Sequence, residues 1–345
     1  MSIKRALITG IGGQDGPYLA QHLLSKGYEV FGAARRGSST NDWRLRELGI
    51  ADQVRYAEIE LLEFSNILSL MQEVKPDIVF NLAAQSFVAS SFAQPIYTAD
   101  ADALGPLRLL EAIRSADPKI RFYQASTSEM FGKVRETPQK ETTPFHPRSP
   151  YGVAKLFAHS AVVNYRESYD MRATSGILFN HESPLRGREF VTRKITSHLA
   201  LYKRGQAGAL TLGNLSAQRD WGHARDYVKG MVMMTEAQIS DSYVLATGKT
   251  RTVRDFVNAA AAALDIVLDW NGEAEAEKAV DRATGKVAVE VSPKFYRPAE
   301  VDMLLGDASK ARRELGWEPE TPFEKLVEEM AHADLSRVDR GLPLL

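Results

Sequence analysis

Three glycines spaced three apart sit between a short apolar run and an amphipathic segment, and few folds can use that arrangement. The run Arg5-Ala6-Leu7-Ile8-Thr9 reads as a strand. The stretch Thr9-Gly10-Ile11-Gly12-Gly13-Gln14-Asp15-Gly16-Pro17-Tyr18-Leu19 then turns out of it into a helix. Gly10 permits the tight turn, Gly13 lets a pyrophosphate approach the backbone, and Gly16 lets the helix lie close on the sheet. The first amides of the helix then face the phosphates. A glycine triple carries meaning only between a strand and a helix, and the rest of the chain supplies that context. Strand-like runs near residues 4–9, 28–33, 54–59, 77–82, 121–126 and 173–179 alternate with helical patterns over 15–26, 64–74, 102–115 and 150–168. Such alternation predicts a parallel, doubly wound sheet with right-handed crossovers.

The fold class expected is therefore α/β: a Rossmann-type doubly wound parallel sheet with a smaller, mostly C-terminal substrate-binding lobe. The 345 residues are enough for both. After about residue 180 the pattern loosens into loops rich in Gly, Pro and Arg, with helices near 192–204, 225–237, 253–264, 307–314 and 322–333. Residues 1–180 are assigned to dinucleotide binding, and 181–345 mainly to the substrate, with segments of the second half returning to the first. The polar segment 271–290, with Glu273-Ala274-Glu275-Ala276-Glu277-Lys278, predicts a surface excursion.

At the end of the second strand, NAD-binding chains often carry an acid for the adenine ribose. Here stands Arg35-Arg36-Gly37-Ser38-Ser39. Two guanidiniums suit a 2′-phosphate, so the expected cofactor is NADP. Glu60 and Leu61 are placed to meet the adenine. Leu82, Ala83, Ala84 and Ser86, after the fourth strand, would pass under the ribose and nicotinamide. A net charge of −1 gives no footprint for nucleic acid or an anionic membrane. The chain has no cysteine, which excludes disulfides, thiolate nucleophiles and cysteine-ligated metal, and fits a reducing cytoplasm. No signal peptide precedes the first strand, no apolar run reaches membrane-spanning length, and no His/Asp/Glu spacing suits a metal.

Chemistry is concentrated in two places. In Ser149-Pro150-Tyr151-Gly152-Val153-Ala154-Lys155, Ser149 reads as an N-cap and Pro150 as the first helical residue. Tyr151 and Lys155 then share a helix face. A neighbouring cation and the helix dipole both favour phenolate, so Tyr151 is expected to act as a base near neutral pH. Some twenty residues upstream lies Ser126-Thr127-Ser128-Glu129, at the carboxyl end of the fifth strand. Thr127 there could bond a substrate oxygen, and Glu129 could both remove and supply a proton.

Further runs narrow the reading. Phe122-Tyr123-Gln124-Ala125-Ser126-Thr127-Ser128-Glu129-Met130-Phe131-Gly132, Asn180-His181-Glu182-Ser183-Pro184, Phe190-Val191-Thr192-Arg193-Lys194, Arg219-Asp220-Trp221-Gly222 and Arg297-Pro298-Ala299-Glu300-Val301-Asp302 stand in the chain. With the glycine turn and the Tyr–Lys pair, the sequence resembles the extended short-chain dehydrogenases/reductases, and within them the GDP-mannose 4,6-dehydratase family. The resemblance implies a reaction without net redox change. Tyr151 takes the sugar O4 proton as hydride leaves C4, Glu129 removes the C5 proton and assists loss of the C6 hydroxyl, and hydride returns to C6. The catalytic set implied is Thr127, Glu129, Tyr151 and Lys155. Gln14, Asp15, Tyr97, His181 and Arg186 join the cofactor contacts. Ser86, Asn180, Val191, Lys194, Arg219, Arg297 and Glu300 join Thr127 and Glu129 as substrate contacts. The family also implies a homo-oligomer, a tetramer or a dimer. The chain departs from the family at Ile59-Glu60, where Gly-Asp is usual, and at Gly37, where serine is common. A sister specificity for GDP-D-glycero-D-manno-heptose keeps the same chemistry and changes only the volume near C6, with residues 86–91 and 185–191 as the places to look. A reductase or epimerase has no need of Glu129, and a non-catalytic dinucleotide sensor has no need of the Tyr–Lys pair. Trp221 is expected in the core.

Overall fold

The computed structural model of the chain describes residues 3–37, 41–295 and 303–344. At its centre is a seven-stranded sheet in which every pairing is parallel. The strands β1 (Arg5–Thr9), β2 (Glu29–Ala34), β3 (Arg55–Glu58), β4 (Ile78–Asn81), β5 (Arg121–Thr127) and β6 (Ala173–Leu178) come from the first half of the chain. The seventh, Ser242–Leu245, returns from the second half and pairs with β6. The order across the sheet is Ser242–Leu245, β6, β5, β4, β1, β2, β3, so the succession reverses between β1 and β4. Reversal opens a crevice at the carboxyl ends of the strands.

The two-residue period of a strand explains the layers. From β1, Ala6 and Ile8 join a core with Leu19 and Leu23 of the helix Asp15–Ser25 and Val228 and Met231 of the helix Ala224–Glu236. Leu7, between them, joins the opposite core with Leu70 of Phe64–Val74, Leu109 of Gly105–Ala116 and Val162 of Pro150–Tyr169. β4 and β6 are buried along their whole length, as strands covered on both faces must be. Burying one such aliphatic side chain contributes about 1.5–3 kcal/mol. The helix expected over 102–115 is preceded by a π turn, Asp100–Leu104, and takes α form from Gly105 to Ala116.

In the second half, the expected helices form over Val191–Lys203, Ala224–Glu236, Val253–Ala263, Ser309–Leu315 and Phe323–Asp339. Between them lie strands that the loosened pattern hid. β7 (Asn180–Glu182), Gln218–His223 and Thr250–Thr252 form one sheet, and Leu268–Asn271, Lys278–Asp281, Val287–Val291 and Leu210–Leu212 form another. A separate core, including Leu199, Leu212, Trp221, Phe256, Val289 and Met330, holds them together. The segment 271–290 is therefore not the excursion its charge suggests. Lys278–Asp281 pairs with Val287–Val291, and Ala279, Ala288 and Val289 are buried. Two of its acids, Glu277 and Asp281, are buried and used internally. Glu277 pairs with Arg254, and Asp281 accepts from Ala283 N at 3.0 Å and Thr284 Oγ1 at 2.8 Å to shape the turn. Among the described residues no helix is long and apolar enough to cross a membrane.

Candidate active site

A cleft of about 1660 Å³ opens along the carboxyl ends of the central strands, lined by residues from Gly10 to Phe295. Its floor starts at the glycine turn. Gly10 has φ of +73°, and a Cβ there would meet Ala83 N at 2.8 Å. A Cβ on Gly16 would strike the Ile11 carbonyl at 2.7 Å, so the helix could not lie as close. At Gly13 an added Cβ would meet the Gly10 carbonyl at 3.2 Å and nothing else among the described residues, so this stretch of backbone is open. The three glycines form a cradle that fits a pyrophosphate. Beneath them Thr9 Oγ1 donates to Asn81 Oδ1 at 2.6 Å, Ala83 N donates to Thr9 Oγ1 at 3.1 Å, and Asn81 Nδ2 donates to Gln124 Oε1 at 2.9 Å. These bonds tie the ends of β1, β4 and β5 into one edge.

The cleft continues past Arg35 and Arg36 at the end of β2. Arg35 Nη1 donates to Tyr97 Oη at 2.9 Å, and the exposed Arg36 lies 3.9 Å from Glu58. Ser38 and Ser39 lie outside the described residues. Glu60 and Leu61 follow β3, and Leu82, Ala83, Ala84 and Ser86 follow β4, all on the cleft wall. The Glu60 carboxylate accepts from Leu62 N at 3.2 Å.

Three side-chain bonds fasten the glycine turn to β7 and its exit, and a fourth orients the His181 ring. Gln14 Nε2 donates to the His181 carbonyl at 3.0 Å, and Ser183 Oγ donates to Gln14 Oε1 at 2.9 Å. His181 Nε2 lies 2.8 Å from Asp15 Oδ2, and His181 Nδ1 lies 2.8 Å from the Phe179 carbonyl. Both ring nitrogens thus face acceptors, which only the doubly protonated ring can satisfy. Burial opposes that charge, but the Asp15 carboxylate and the Phe179 carbonyl outweigh it, and His181 titrates above the usual histidine value. For Asp15 burial pulls upward instead, and His181, Arg186 and Gln14 bring its carboxyl below the usual range. Arg44, which sequence reasoning missed, reaches the same turn: Nη1 donates to Gly12 O at 2.6 Å and Nε to Leu185 O at 2.7 Å. Its signal in the sequence is only an Arg shortly after a polar loop.

At the far side of the sheet, β5 ends at Thr127 and passes into a 3-10 turn, Ser128–Met130, whose Glu129 amide donates to Thr127 Oγ1 at 3.2 Å. The helix Pro150–Tyr169 starts against this turn. Ser149 caps it, accepting from Gly152 N at 3.0 Å. A Cβ on Gly152 would lie 2.8 Å from the Glu129 carbonyl, so glycine at this position sets how near Tyr151 comes to Glu129. Lys155 Nζ donates to the Ala125 carbonyl at 2.9 Å and lies 5.8 Å from the centre of the Tyr151 ring. The pair shares a face as expected. The expected lowering of the phenol's pKa is not what the chain's own groups produce. Burial pushes Tyr151 well above the ordinary tyrosine value, the charges of Asp102 and Glu129 add to this, and the hydrogen bond from Thr127 and the charge of Arg186 only partly oppose it. Lys155 is itself buried and held below the usual lysine value, with Asp102 pulling it back up.

Asn180, Val191, Lys194 and Arg219 line the second-half wall of the cleft. Lys194 Nζ donates to the Thr211 carbonyl at 2.7 Å and sits 4.1 Å over the Phe295 ring. Arg219 Nη1 donates to the Gln218 carbonyl at 2.8 Å. Arg297 and Glu300 lie outside the described residues. Trp221 serves as core, packing on Phe256 and Phe323, and also reaches the cleft wall. Two aromatic residues bridge the halves, one in each of the stretches 86–91 and 185–191 marked from the sequence for the volume near C6. Phe87, after β4, meets Phe190 edge to face at 5.9 Å, and the Arg186 guanidinium stacks 3.6 Å over the Phe190 ring. Among the described residues no group of three or more His, Asp or Glu side chains could hold a metal ion.

The GDP-mannose 4,6 dehydratase family matches residues 7–330. The chain is similar to the GDP-mannose 4,6-dehydratase of Vibrio cholerae, at 51% identity over 354 residues, covering 98% of this chain and 95% of that one. In structure it is similar to dTDP-glucose 4,6-dehydratase of Bacillus anthracis in complex with NAD, with a TM-score of 0.81, 19% identity, and 99% and 100% of the two chains covered. It is also similar to RMD of Pseudomonas aeruginosa complexed with NADPH, with a TM-score of 0.74, 22% identity, and 97% and 100% covered. At these identities the solved structures show a common fold.

Proposed function

Because the chain belongs to the GDP-mannose 4,6-dehydratase family, we propose that it is an NADP-dependent lyase that converts GDP-D-mannose to GDP-4-keto-6-deoxy-D-mannose and water. The observation that carries this reading is the close approach of the Glu129 turn to the Tyr151 helix across Gly152. Simple carbonyl reduction calls for the Tyr–Lys pair, while dehydration calls in addition for a carboxylate beside it. The glycine cradle, Arg35 and Arg36 would hold the dinucleotide, with the two guanidiniums favouring a 2′-phosphate. When bound, it supplies an acceptor for the C4 hydride and a donor of that hydride to C6.

The remaining steps fall to the chain's own side chains. Tyr151 Oη takes the O4 proton, and Thr127 Oγ1 holds O4 in line. The 4-keto group acidifies C5–H, Glu129 removes that proton, and the same carboxyl hands it to the C6 hydroxyl, which leaves as water. As hydride returns to C6, C5 takes up one proton, which balances the O4 proton that Tyr151 accepted. Well-placed proton transfer of this kind is worth about 10²–10⁴ in rate. Lys155, with its ammonium near the phenol, stabilises the phenolate and steadies the ribose. Asn180, Val191, Lys194 and Arg219 would receive the GDP moiety, the cations meeting its diphosphate. The division of labour at about residue 180, with the dinucleotide held by the first half and the GDP-sugar mainly by the second, belongs to the same proposal.

The test is mass spectrometry of the protein incubated with NADP⁺ and GDP-mannose, and separately with NADP⁺ and GDP-mannoheptose, without added reductant. Loss of one water from GDP-mannose supports the reading. Loss from the heptose alone would move the substrate while leaving the chemistry in place, and loss from neither would end it. Tyr151→Phe should abolish hydride exchange at C4. Glu129→Gln should retain exchange and accumulate the 4-keto hexose, and full turnover by that variant would remove Glu129 from the mechanism.

A further inference from the structure

Behind the Tyr151–Lys155 pair lies a carboxyl group that the steps above do not use. Asp102 sits in the middle of the π turn Asp100–Leu104 and is 1% exposed. Single π turns within helices recur at functional sites. Its neighbour Asp100 reaches an ion pair with Arg108 at 2.8 Å, but Asp102 is directed inward. Oδ1 accepts from Gln85 N at 2.7 Å, on the loop that leads from β4 to Ser86. Oδ2 is buried with no hydrogen-bond partner among the described residues. On the helix packed against it, Lys155 is 3% exposed, and its ammonium has one acceptor among the described residues, the Ala125 carbonyl. The π turn that carries the under-used carboxyl packs on the helix that carries the under-used cation. Leaving either group unsatisfied in the interior is expensive, so a buried pairing of this sort calls for a role.

We propose that Asp102 is a positioning residue that sets the proton affinity of Tyr151 through Lys155. As a carboxylate it neutralises the ammonium, and the phenol keeps its proton. As the neutral acid it frees the ammonium's field, and the phenol is drawn toward phenolate. This inference rests on the dehydratase reading for its purpose. In each turnover Tyr151 gains the O4 proton and must lose it before the next sugar arrives. A carboxyl that can itself bind a proton lets the buried pair change state without stranding a net charge.

The charged and titratable groups around the pair agree with this role. Burial lifts the Asp102 carboxyl to about 6, with the Lys155 charge and the Gln85 amide pulling it down. After burial, the Asp102 charge leads the causes that raise Tyr151, followed by Glu129, and Arg186 acts in the opposite direction.

The test replaces Asp102 by asparagine, which keeps the size and an acceptor for Gln85 N, and by serine as a second, smaller neutral variant. Removing a like charge this close lowers a pKa by about one unit or more. The acid limb of kcat/KM for GDP-mannose should therefore move down by about one pH unit, with KM unchanged. Independently of turnover, phenolate absorbance is measured with NADP⁺ and no sugar, as the difference between each protein and its Tyr151→Phe counterpart. The midpoint of that titration should fall by the same amount. A pH-independent loss of kcat, with the midpoint unmoved, would make Asp102 a packing residue and overturn the inference. A shifted midpoint in a protein that dehydrates no GDP-sugar would uphold it while the dehydratase reading failed. Should neither variant fold, carbon-13 NMR of aspartate in the wild type decides. A resonance titrating near pH 6 and moving when NADP⁺ is added supports the role, and none doing so refutes it.

Discussion

His181 holds both ring nitrogens against acceptors, and the consequence is a pH dependence with a definite sign. Its folded pKa lies above the usual value of about 6.5. Its contribution to stability is thus fully present below that value and is lost as pH rises through the folded pKa. Asp15, whose carboxyl is held low, contributes above the ordinary carboxylate range and loses that contribution as pH falls through its folded pKa. His181→Gln should destabilise by about 1.5–3 kcal/mol in mildly acid solution, the range for hydrogen bonds to charged groups. In denaturant unfolding, the gap to wild type should narrow toward pH 9, and a gap of constant size would show that the ring is neutral. The sequence marked both residues as cofactor contacts, but their bond to each other spans 166 positions and no local pattern announces it. The same holds for Asp102, whose neighbours in sequence are alanines and whose hydrogen bond comes from Gln85, 17 positions away.

Among the elements, the helix Pro150–Tyr169 was the most legible, because its cap, its Pro at the first position and its Tyr–Lys spacing are all local. Its distance from the Glu129 turn was not, since that depends on a side chain Gly152 lacks. Alanine is ordinarily preferred to glycine inside a helix by about 1 kcal/mol. Gly152→Ala should go the other way, by roughly 1–3 kcal/mol of overpacking, because its Cβ would press on the Glu129 carbonyl at 2.8 Å and on Pro147 Cβ at 3.1 Å. The clash forces Tyr151 and Glu129 apart, so kcat should fall more than KM rises. Steady-state kinetics together with a melting curve would check this, and an unchanged kcat would show that the turn yields freely. The strands of the second half illustrate the opposite case. In Lys278–Asp281 and Val287–Val291 the apolar residues are mostly alanine and valine set among charges, so the alternation was weak. Its meaning depended on Arg254, from another helix, burying Glu277.

For the whole molecule, the helix that turns Tyr151 and Lys155 inward turns Val153 and Phe157 outward, 57% and 45% exposed. With Pro95, Ala99, Ala103 and Leu104 they line an apolar groove of about 740 Å³. Exposed apolar surface gathered in this way is what association faces are made of. The homo-oligomer that the family resemblance implies would place a second copy there. Phe157→Glu should then yield a smaller species in sedimentation equilibrium, and an unchanged mass would move the contact elsewhere. The parallel sheet was readable from the first half of the sequence, where each strand follows its helix in order. Its seventh strand was not, because Ser242–Leu245 is four residues long and arrives after more than sixty residues spent elsewhere. That late return has a consequence of its own. The polypeptide is laced between the central sheet and the smaller ones, so no single cut frees one from the other. Recombination could not trade the smaller sheets as a cassette, so this half of the cleft wall can change only by substitutions within the chain as it stands.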